Sequence, residues 1–187
     1  MPTGYQIDNQ SGLYYLTLQV VDWVDVFTRQ IYRDILLSSL EYCVKNKGLV
    51  LYAYVVMSNH VHLIVSAKDA NLSAVLRDMK RYTATSILKE IAQNDKESRR
   101  DWMLKRFEFA AKRHQRNSEH QFWTHENHAV ELITNKFIRQ KCAYLHRNPV
   151  RAGWVNNASD WKYSSASNYE GEHGLIEVTL LDAMYEW

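Results

Sequence analysis

The chain has 187 residues, a length that suits a single domain with a sizeable hydrophobic core. Hydrophobic residues make up 46% of it and charged residues 24%, a composition that excludes a disordered chain. The formal net charge of +2 also excludes a uniformly basic particle, so any nucleic-acid surface requires local clustering of cations.

Cysteine content and apolar patterning indicate the compartment. Cys43 and Cys142 are too few for a disulfide framework or a zinc cluster, and two isolated cysteines indicate a reducing cytoplasm. The first ten residues lack the basic start and apolar run of a signal peptide. No apolar stretch approaches the ~20 residues of a membrane span. We therefore expect a cytoplasmic protein without membrane contact, built as one domain over residues 1–187 with a less regular tail from about residue 150.

The first third of the chain predicts a strand, a helix and a β-hairpin. Residues 13–20 are rich in β-forming types with imperfect alternation, which indicates a largely buried strand. Apolar residues at helical spacing predict a helix over about 28–47, with Gly48 at the position of a C-terminal cap. Residues 49–56 and 60–66 are then two strands, joined by a short turn in MSNH.

A long helix and a basic segment follow the hairpin. Apolar spacing predicts the helix from Asn71, as its N-cap, to about Gln93. The basic concentration is made of Lys96, Arg99, Arg100, Lys105, Arg106, Lys112, Arg113 and Arg116. It is either a solvated helix or a phosphate-contacting surface.

The last third predicts a fourth strand, a helix and an irregular tail. The strand is expected around Phe122-Trp123, and the helix runs from about 135 to 147 with Thr134 or Asn135 as its cap. Asn148-Pro149 is expected to end this helix, since a residue before proline disfavours helical geometry. A late strand is possible near 176–180. The order of elements indicates an α+β fold, a ferredoxin-like antiparallel sheet with helices on one face.

Two histidines at the start of the third predicted strand are candidates for chemistry. Side chains two apart on a strand point to the same face, so His60 and His62 project together while Val61 faces the other way. Two imidazoles on one face can share a divalent metal ion, and a pair of hydrogen-bonded structural histidines is the alternative. The chain is too short for an amidohydrolase barrel and has too few strands for a cupin. Ile64 stands where histidine-triad nucleotide hydrolases have their third histidine, so the nucleophile of that class is missing.

Near the end of the last predicted helix, Tyr144 and Asn148 are four residues apart and share a helix face. A tyrosine hydroxyl can act as a covalent nucleophile when a metal polarises the electrophile. An amide oxygen one turn away could complete the set of metal ligands. From the residues alone, packing of Tyr144 and helix capping by Asn148 are the alternatives.

Four segments resemble the single-tyrosine transposases that carry an HUH motif, and in particular their REP-associated subgroup. MSNHVHLIV (57–65) resembles the HUH motif, and YLHRNPVRAGWV (144–155) resembles the tyrosine block. RDMKRYTATSILKEI (77–91) resembles the helix after the HUH strand, and DWKYSSASNY (160–169) resembles the segment that usually follows the tyrosine block. The similarity covers most of the chain, from the first strand to about Tyr169.

This resemblance implies a ferredoxin-like domain that binds and cleaves single-stranded DNA, usually beside a hairpin. It implies that His60 and His62 bind Mg²⁺ or Mn²⁺, with Asn148 at the usual third ligand position. Tyr144 matches the nucleophile, which would attack a backbone phosphorus, form a 5′-phosphotyrosine and release a 3′-hydroxyl. Rejoining to another 3′-hydroxyl would give strand transfer, by a monomer or a homodimer.

Several positions bear on DNA recognition. Ser58 stands where the family often has proline, and Thr124 follows Trp123 where the family often has glutamine. Five cations, three on one helix face and two beside the end of the tyrosine helix, are candidate contacts to DNA phosphates. They are Arg77, Lys80, Arg81, Arg147 and Arg151. For each of them, a solvated surface charge is the alternative.

Two other functions remain open at this point. One is a DNA-binding module that keeps the fold without catalysis, and the other is a metal-dependent phosphodiesterase acting on a small nucleotide, with Tyr144 only structural. The joint presence of Tyr144, His60 and His62 favours catalysis. Aromatic residues, 12% of the chain, are explained by packing and would also suit stacking on unpaired bases.

Overall fold

The computed structural model describes residues 6–113 and 119–182, and at its centre is a four-stranded antiparallel sheet in the order β2-β3-β1-β4. The strands are β1 (Tyr14–Gln19), β2 (Leu49–Val56), β3 (His60–Ala67) and β4 (Val130–Glu131). Helical crossovers connect β1 to β2 and β3 to β4, and β2 and β3 form a hairpin. This is the ferredoxin-like arrangement, so the α+β prediction is confirmed.

Six α-helices lie within the described ranges. They are α1 (Gln30–Asn46), α2 (Leu72–Gln93), α3 (Arg100–Arg113), α4 (Asn135–His146), α5 (Asn148–Arg151) and α6 (Ala166–Tyr169). Across these described residues, no helix combines the length and apolar character that a membrane crossing requires.

The two-residue periodicity of β3 divides its side chains between two cores. Leu63 and Val65 point into the larger core, which α1 and α2 cover. Ile64 points to the opposite face, where it belongs to a smaller cluster with Leu145 of α4, and His62 projects on that same face. The helices, expected on one face, are therefore divided between both, because α4 has an apolar side of its own that buries against β2 and β3.

The fourth strand does not form where the aromatic residues predicted it. β4 lies at Val130–Glu131 and pairs with β1, whereas Trp123 makes a single bridge to Val20. Phe122 and Trp123 are buried and pack against Phe27. Their β-forming side chains therefore fill the core instead of marking a strand, because aromatic residues suit both environments.

The ends of the helices agree only partly with prediction. The hydroxyl of Thr134 accepts a hydrogen bond from the N–H of Phe137 at 3.3 Å, which confirms the cap of α4. Asn71 precedes α2 but makes no side-chain capping bond. α4 ends at His146, just before Asn148-Pro149 as expected, but a further helical turn, α5, follows at once and contains Pro149 in its first turn. A proline is tolerated there because the first-turn N–H groups have no partner within the helix.

Ion pairs neutralise much of the basic segment. The pairs are Arg99 with Asp25 and Glu97, Arg100 with Asp95 and Asp101, Lys112 with Glu108, and Arg113 with Asp22. Burial by itself would raise the pKa of Glu97, but the hydrogen bonds and charge of Arg99 outweigh it and lower that pKa. Arg116 lies outside the described residues. Cations paired in this way attract phosphate less. The pairing therefore supports a solvated helix over a phosphate-contacting surface for this segment.

The tail beyond α5 runs along the free edge of β2. The N–H of Val56 donates to the carbonyl of Tyr163, and the N–H of Ser165 donates to the carbonyl of Tyr54, both at 2.9 Å. The possible strand over 176–180 does not form in this described part of the tail. The tail is thus bound to the sheet by a few backbone hydrogen bonds and not by a regular strand.

Candidate active site

His60 and His62 lie side by side on the face of β3 that α4 partly covers. Their ring centroids are 4.8 Å apart and their planes are inclined by 70°. The turn before them is fixed by backbone hydrogen bonds, including one from the N–H of Phe27 to the carbonyl of Ser58 at 2.8 Å. The strand period therefore brings the two imidazoles together, and the turn determines where β3 begins.

Hydrogen bonds orient both imidazoles through the same ring nitrogen. Nδ1 of His62 lies 2.8 Å from the hydroxyl of Tyr15 and 2.9 Å from the hydroxyl of Thr17, both on β1. Nδ1 of His60 lies 2.7 Å from the amide oxygen of Asn59, which can only accept, so this nitrogen carries the proton. In each ring, Nε2 points away from these partners. Histidines that bind metals are commonly held in this way, with one nitrogen hydrogen-bonded and the other facing the ion.

Burial keeps both imidazoles neutral at neutral pH. It lowers the pKa of His60, and it lowers the pKa of His62 to about 3, with further contributions from His60 and Lys141. The neutral imidazole is the form that has a lone pair for a metal ion. The two side chains thus suit a divalent cation, in both protonation and orientation.

Tyr144 of α4 lies over the same face. Its ring centroid is 6.1 Å from that of His62 and 6.4 Å from that of Tyr15, in edge-on geometry. The residue is 41% exposed, so it is open to solvent on this face. One chain therefore brings together a histidine pair and an exposed tyrosine.

Asn148 lies just beyond the end of α4, one turn after Tyr144. Its amide nitrogen donates to the carbonyls of Tyr144 at 2.9 Å and Leu145 at 3.2 Å, so it caps the helix. Its amide oxygen takes no part in these two bonds. Imidazole nitrogens and amide oxygens can each be ligands of a divalent cation. Among the described residues, no group of three or more His, Cys, Asp or Glu side chains could hold a metal ion.

Two cations lie against the ring of Tyr144. The guanidinium carbon of Arg151 is 5.1 Å from the ring centroid, and Nζ of Lys141 is 5.9 Å from it. Lys141 also lies 4.8 Å from the ring centroid of Tyr15. Lys141 was missed in the sequence, although its position three residues before Tyr144 on a helix is a usable signal. Arg147 is exposed at the break between α4 and α5.

The three cations of α2 are not brought to the histidine site, because α2 covers the opposite face of the sheet. Arg77, Lys80 and Arg81 line a groove of about 860 Å³ between α2 and the segment 120–127. Arg77 pairs with the neighbouring Asp78. Arg81 is exposed in the same groove.

Lys80 differs from its two neighbours because its ammonium is used within the protein. Its Nζ donates to the carbonyl of Thr124 at 2.9 Å and to the side-chain oxygen of Asn127 at 2.7 Å. Burial lowers the pKa of Lys80 to about 8. These bonds attach the segment 120–127 to α2, which is a structural role that spacing on the helix could not distinguish from a phosphate contact.

We expect Lys80→Met to lower the free energy of unfolding by about 1–3 kcal/mol, because two oxygen acceptors lose their donor. Urea denaturation measures the change. Arg81→Met is the matched control, since Arg81 is exposed on the same helix and its loss is expected to change stability by less than about 0.5 kcal/mol. Equal effects of the two substitutions would mean that the Lys80 bonds do not stabilise the fold.

Comparisons with known proteins agree with this fold. The sequence model of the family described as "Transposase IS200 like" matches residues 13–118. A solved structure described as "Structure of the REP associates tyrosine transposase bound to a REP hairpin" has the same fold, with a TM-score of 0.58 and 18% sequence identity. The match covers 97% of this chain and 96% of that chain. No curated protein sequence matches. The family match extends over more than half of the sequence, and the chain therefore belongs to the IS200-like transposase family.

Proposed function

We propose that this protein cuts and rejoins single-stranded DNA in a metal-dependent reaction, with Tyr144 as the nucleophile. The observation that carries the proposal is the position of the Tyr144 ring, 6.1 Å from that of His62 on the face that also presents His60. The family match ends at residue 118, before α4, so the assignment of Tyr144 depends on this geometry and on the resemblance of 144–155 to the tyrosine block.

Mg²⁺ or Mn²⁺ is the proposed cofactor, because these are the ions that the resemblance of residues 57–65 to the HUH motif implies. Nε2 of His60 and of His62 would be two ligands, and the amide oxygen of Asn148 would be the third. A divalent cation, when bound, neutralises charge on a scissile phosphate and makes the phosphorus more electrophilic. The hydrogen bonds of Tyr15, Thr17 and Asn59 hold the two imidazoles for that purpose.

The side chains of this chain account for the bond changes. The hydroxyl oxygen of Tyr144 would attack the phosphorus and lose its proton to solvent, while the bond from phosphorus to the 3′-oxygen breaks. That oxygen takes up a proton and leaves as a 3′-hydroxyl, and the 5′-phosphate remains bonded to Tyr144. A second 3′-hydroxyl reverses the reaction and joins a new strand. Lys141 and Arg151, beside the ring, would attract the anionic phosphate.

Hairpin DNA is the proposed partner. The structural neighbour is bound to a REP hairpin, and the fold of this chain is the same. Arg77 and Arg81 in the α2 groove are the proposed contacts to duplex phosphates, and Arg147 beside Arg151 is proposed to contact the strand at the tyrosine helix. Because Tyr144 lies beside His62 of its own chain, the proposed nucleophile and this histidine would act within one protomer, and the protein would work as a monomer or a homodimer.

The test is a covalent adduct. The protein is incubated with Mn²⁺ and a library of labelled DNA hairpins with unpaired arms, and a denaturing gel separates protein-linked DNA. We expect an adduct that EDTA prevents, with the phosphotyrosine located at Tyr144 by mass spectrometry. Binding without an adduct for every hairpin would instead indicate a DNA-binding module without catalysis. Hydrolysis of small nucleotides without an adduct would indicate a phosphodiesterase.

We expect Thr17→Val to weaken Mn²⁺ binding by about 10–100-fold, because the hydroxyl that helps to orient His62 is lost. Titration calorimetry with Mn²⁺ measures the change. Thr85→Val is the control, since the Thr85 hydroxyl bonds to a helix carbonyl on the exposed side of α2. If both variants bind Mn²⁺ equally well, Thr17 does not act on a metal site.

A further inference from the structure

Trp23 is an exposed aromatic side chain beside the histidine pair, and the proposed reaction does not use it. The residue is 63% exposed, although the valines around it, Val20, Val21 and Val24, are buried. Its ring lies edge-on to that of His60, with centroids 6.5 Å apart and planes inclined by 77°. An indole in this position is both accessible and adjacent to the site of chemistry.

The backbone that presents Trp23 is held in an unfavourable conformation. Asp22 and Trp23 have φ values of 52° and 57°, in the left-handed region that costs free energy for any residue with a Cβ. Two consecutive residues in this region require support from the surrounding structure. The loop is therefore not a flexible connection, and the direction of the indole is determined by its anchors.

Two contacts supply that support. Arg113 of α3 donates to both carboxylate oxygens of Asp22, at 2.6 and 2.7 Å. The amide nitrogen of Asn59 donates to the carbonyl of Trp23 at 3.3 Å, while the amide oxygen of Asn59 is 2.7 Å from Nδ1 of His60. The Asn59 side chain thus connects the backbone at Trp23 to the proposed metal ligand His60, so Trp23 and His60 are fixed relative to each other.

We infer that Trp23 is a stacking platform for one unpaired nucleobase of the DNA strand next to the scissile phosphate. The inference rests on the proposed function, because the strand must pass the His60–His62 face for Tyr144 to reach it. A phosphate at this face places the neighbouring nucleotide near His60, and the flat indole surface beside His60 suits a base of any sequence. Because the backbone at Trp23 is already held in place, less conformational freedom is lost when a base stacks on the indole.

The test measures dissociation constants in EDTA, by fluorescence anisotropy. The probe is the labelled hairpin that gives the covalent adduct or, if none does, the hairpin of the library that binds most tightly. Each protein is titrated separately with three forms of this hairpin. The first form has its unpaired arms, the second has the arms removed, and the third has a single abasic site at one position along the arms. The variants are Trp23→Ala and Trp23→Phe, and Trp102→Ala is the control because Trp102 is an exposed tryptophan on α3.

We expect Trp23→Ala to weaken binding of the armed hairpin by about 5–150-fold, with Trp23→Phe in between and Trp102→Ala unchanged. The hairpin without arms should bind all four proteins equally. One abasic position should weaken binding by wild type but not by Trp23→Ala, which identifies the stacked base. Because Trp23 has a positive φ, Trp23→Gly should lose the same affinity without a lower melting temperature, which separates stacking from folding.

The inference would be overturned if Trp23→Ala lost affinity for both hairpins alike. It would also be overturned if no abasic position weakened binding by wild type while leaving binding by Trp23→Ala unchanged. Adduct formation distinguishes this result from a failure of the proposed function. If the adduct forms and Trp23→Ala binds as wild type does, the base site is refuted and the reaction stands. If no adduct forms but Trp23→Ala binds the armed hairpin more weakly than wild type does, the base-stacking site is supported and the proposed reaction is not.

Discussion

Tyr144→Phe is expected to lower the rate of DNA cleavage by at least about 10⁴-fold, because the attacking oxygen is removed. Single-turnover cleavage of the adduct-forming hairpin measures this rate. Stability and DNA binding should be preserved. A phenylalanine keeps the ring that faces His62 and Tyr15 and that lies beside Lys141 and Arg151.

Tyr82→Phe is the matched control for this experiment. Tyr82 is an exposed tyrosine of α2, on the helix that covers the opposite face of the sheet, so its hydroxyl is not expected to affect cleavage. An adduct that persists in Tyr144→Phe would refute the assignment of the nucleophile. Mapping that adduct would then identify the residue that attacks.

His62→Ala is expected to produce the second large effect, on metal binding and on cleavage together. Loss of a residue that only orients a metal-binding histidine costs about 10–100-fold in metal affinity, so loss of the imidazole should cost more. Calorimetric titration with Mn²⁺ measures the affinity, and single-turnover cleavage should fall by at least about 10³-fold. Binding of the hairpin in EDTA should remain, because the proposed phosphate contacts are made by arginine and lysine side chains that this substitution leaves in place.

The control for the metal experiment is His125→Ala. His125 lines the α2 groove with Gln121, and α2 covers the face of the sheet opposite to the histidine pair. If the Mn²⁺ affinity of His62→Ala is within a factor of about two of that of wild type, the proposed ligand set is excluded. A loss of affinity in both variants would indicate that Mn²⁺ binds at several places, and the specific site would again be excluded.

The helices and strands with a regular pattern of apolar residues could be predicted from the sequence. Two runs of β-forming residues joined by a short turn were sufficient to predict the hairpin of β2 and β3, and the two-residue period of a strand placed His60 and His62 on one face. β4 has only two residues, so it contains no alternation to detect. Phe122 and Trp123 were interpreted as a strand because the same side chains favour strands and buried cores.

The candidate site was less accessible to sequence reasoning, because its contacts join distant parts of the chain. Lys80 bonds to a residue 44 positions away, so its helix spacing could not show that its ammonium was already occupied. Arg113 pairs with Asp22 across 91 positions and became interpretable only in the fold. The hydroxyls of Tyr15 and Thr17 reach His62 only because β1 and β3 are adjacent, an order that no local pattern specifies.

The tail along β2 has a consequence for assembly. An uncovered edge strand offers backbone N–H and C=O groups with which a second copy can extend the sheet. Here Val56 and Tyr54 already use such groups to bind Tyr163 and Ser165 of their own chain. Sheet-to-sheet association through this edge would first require release of the tail. Ser165 also lies 2.9 Å from Nε2 of His146 at the end of α4, so self-association by this route would disturb the helix that carries Tyr144.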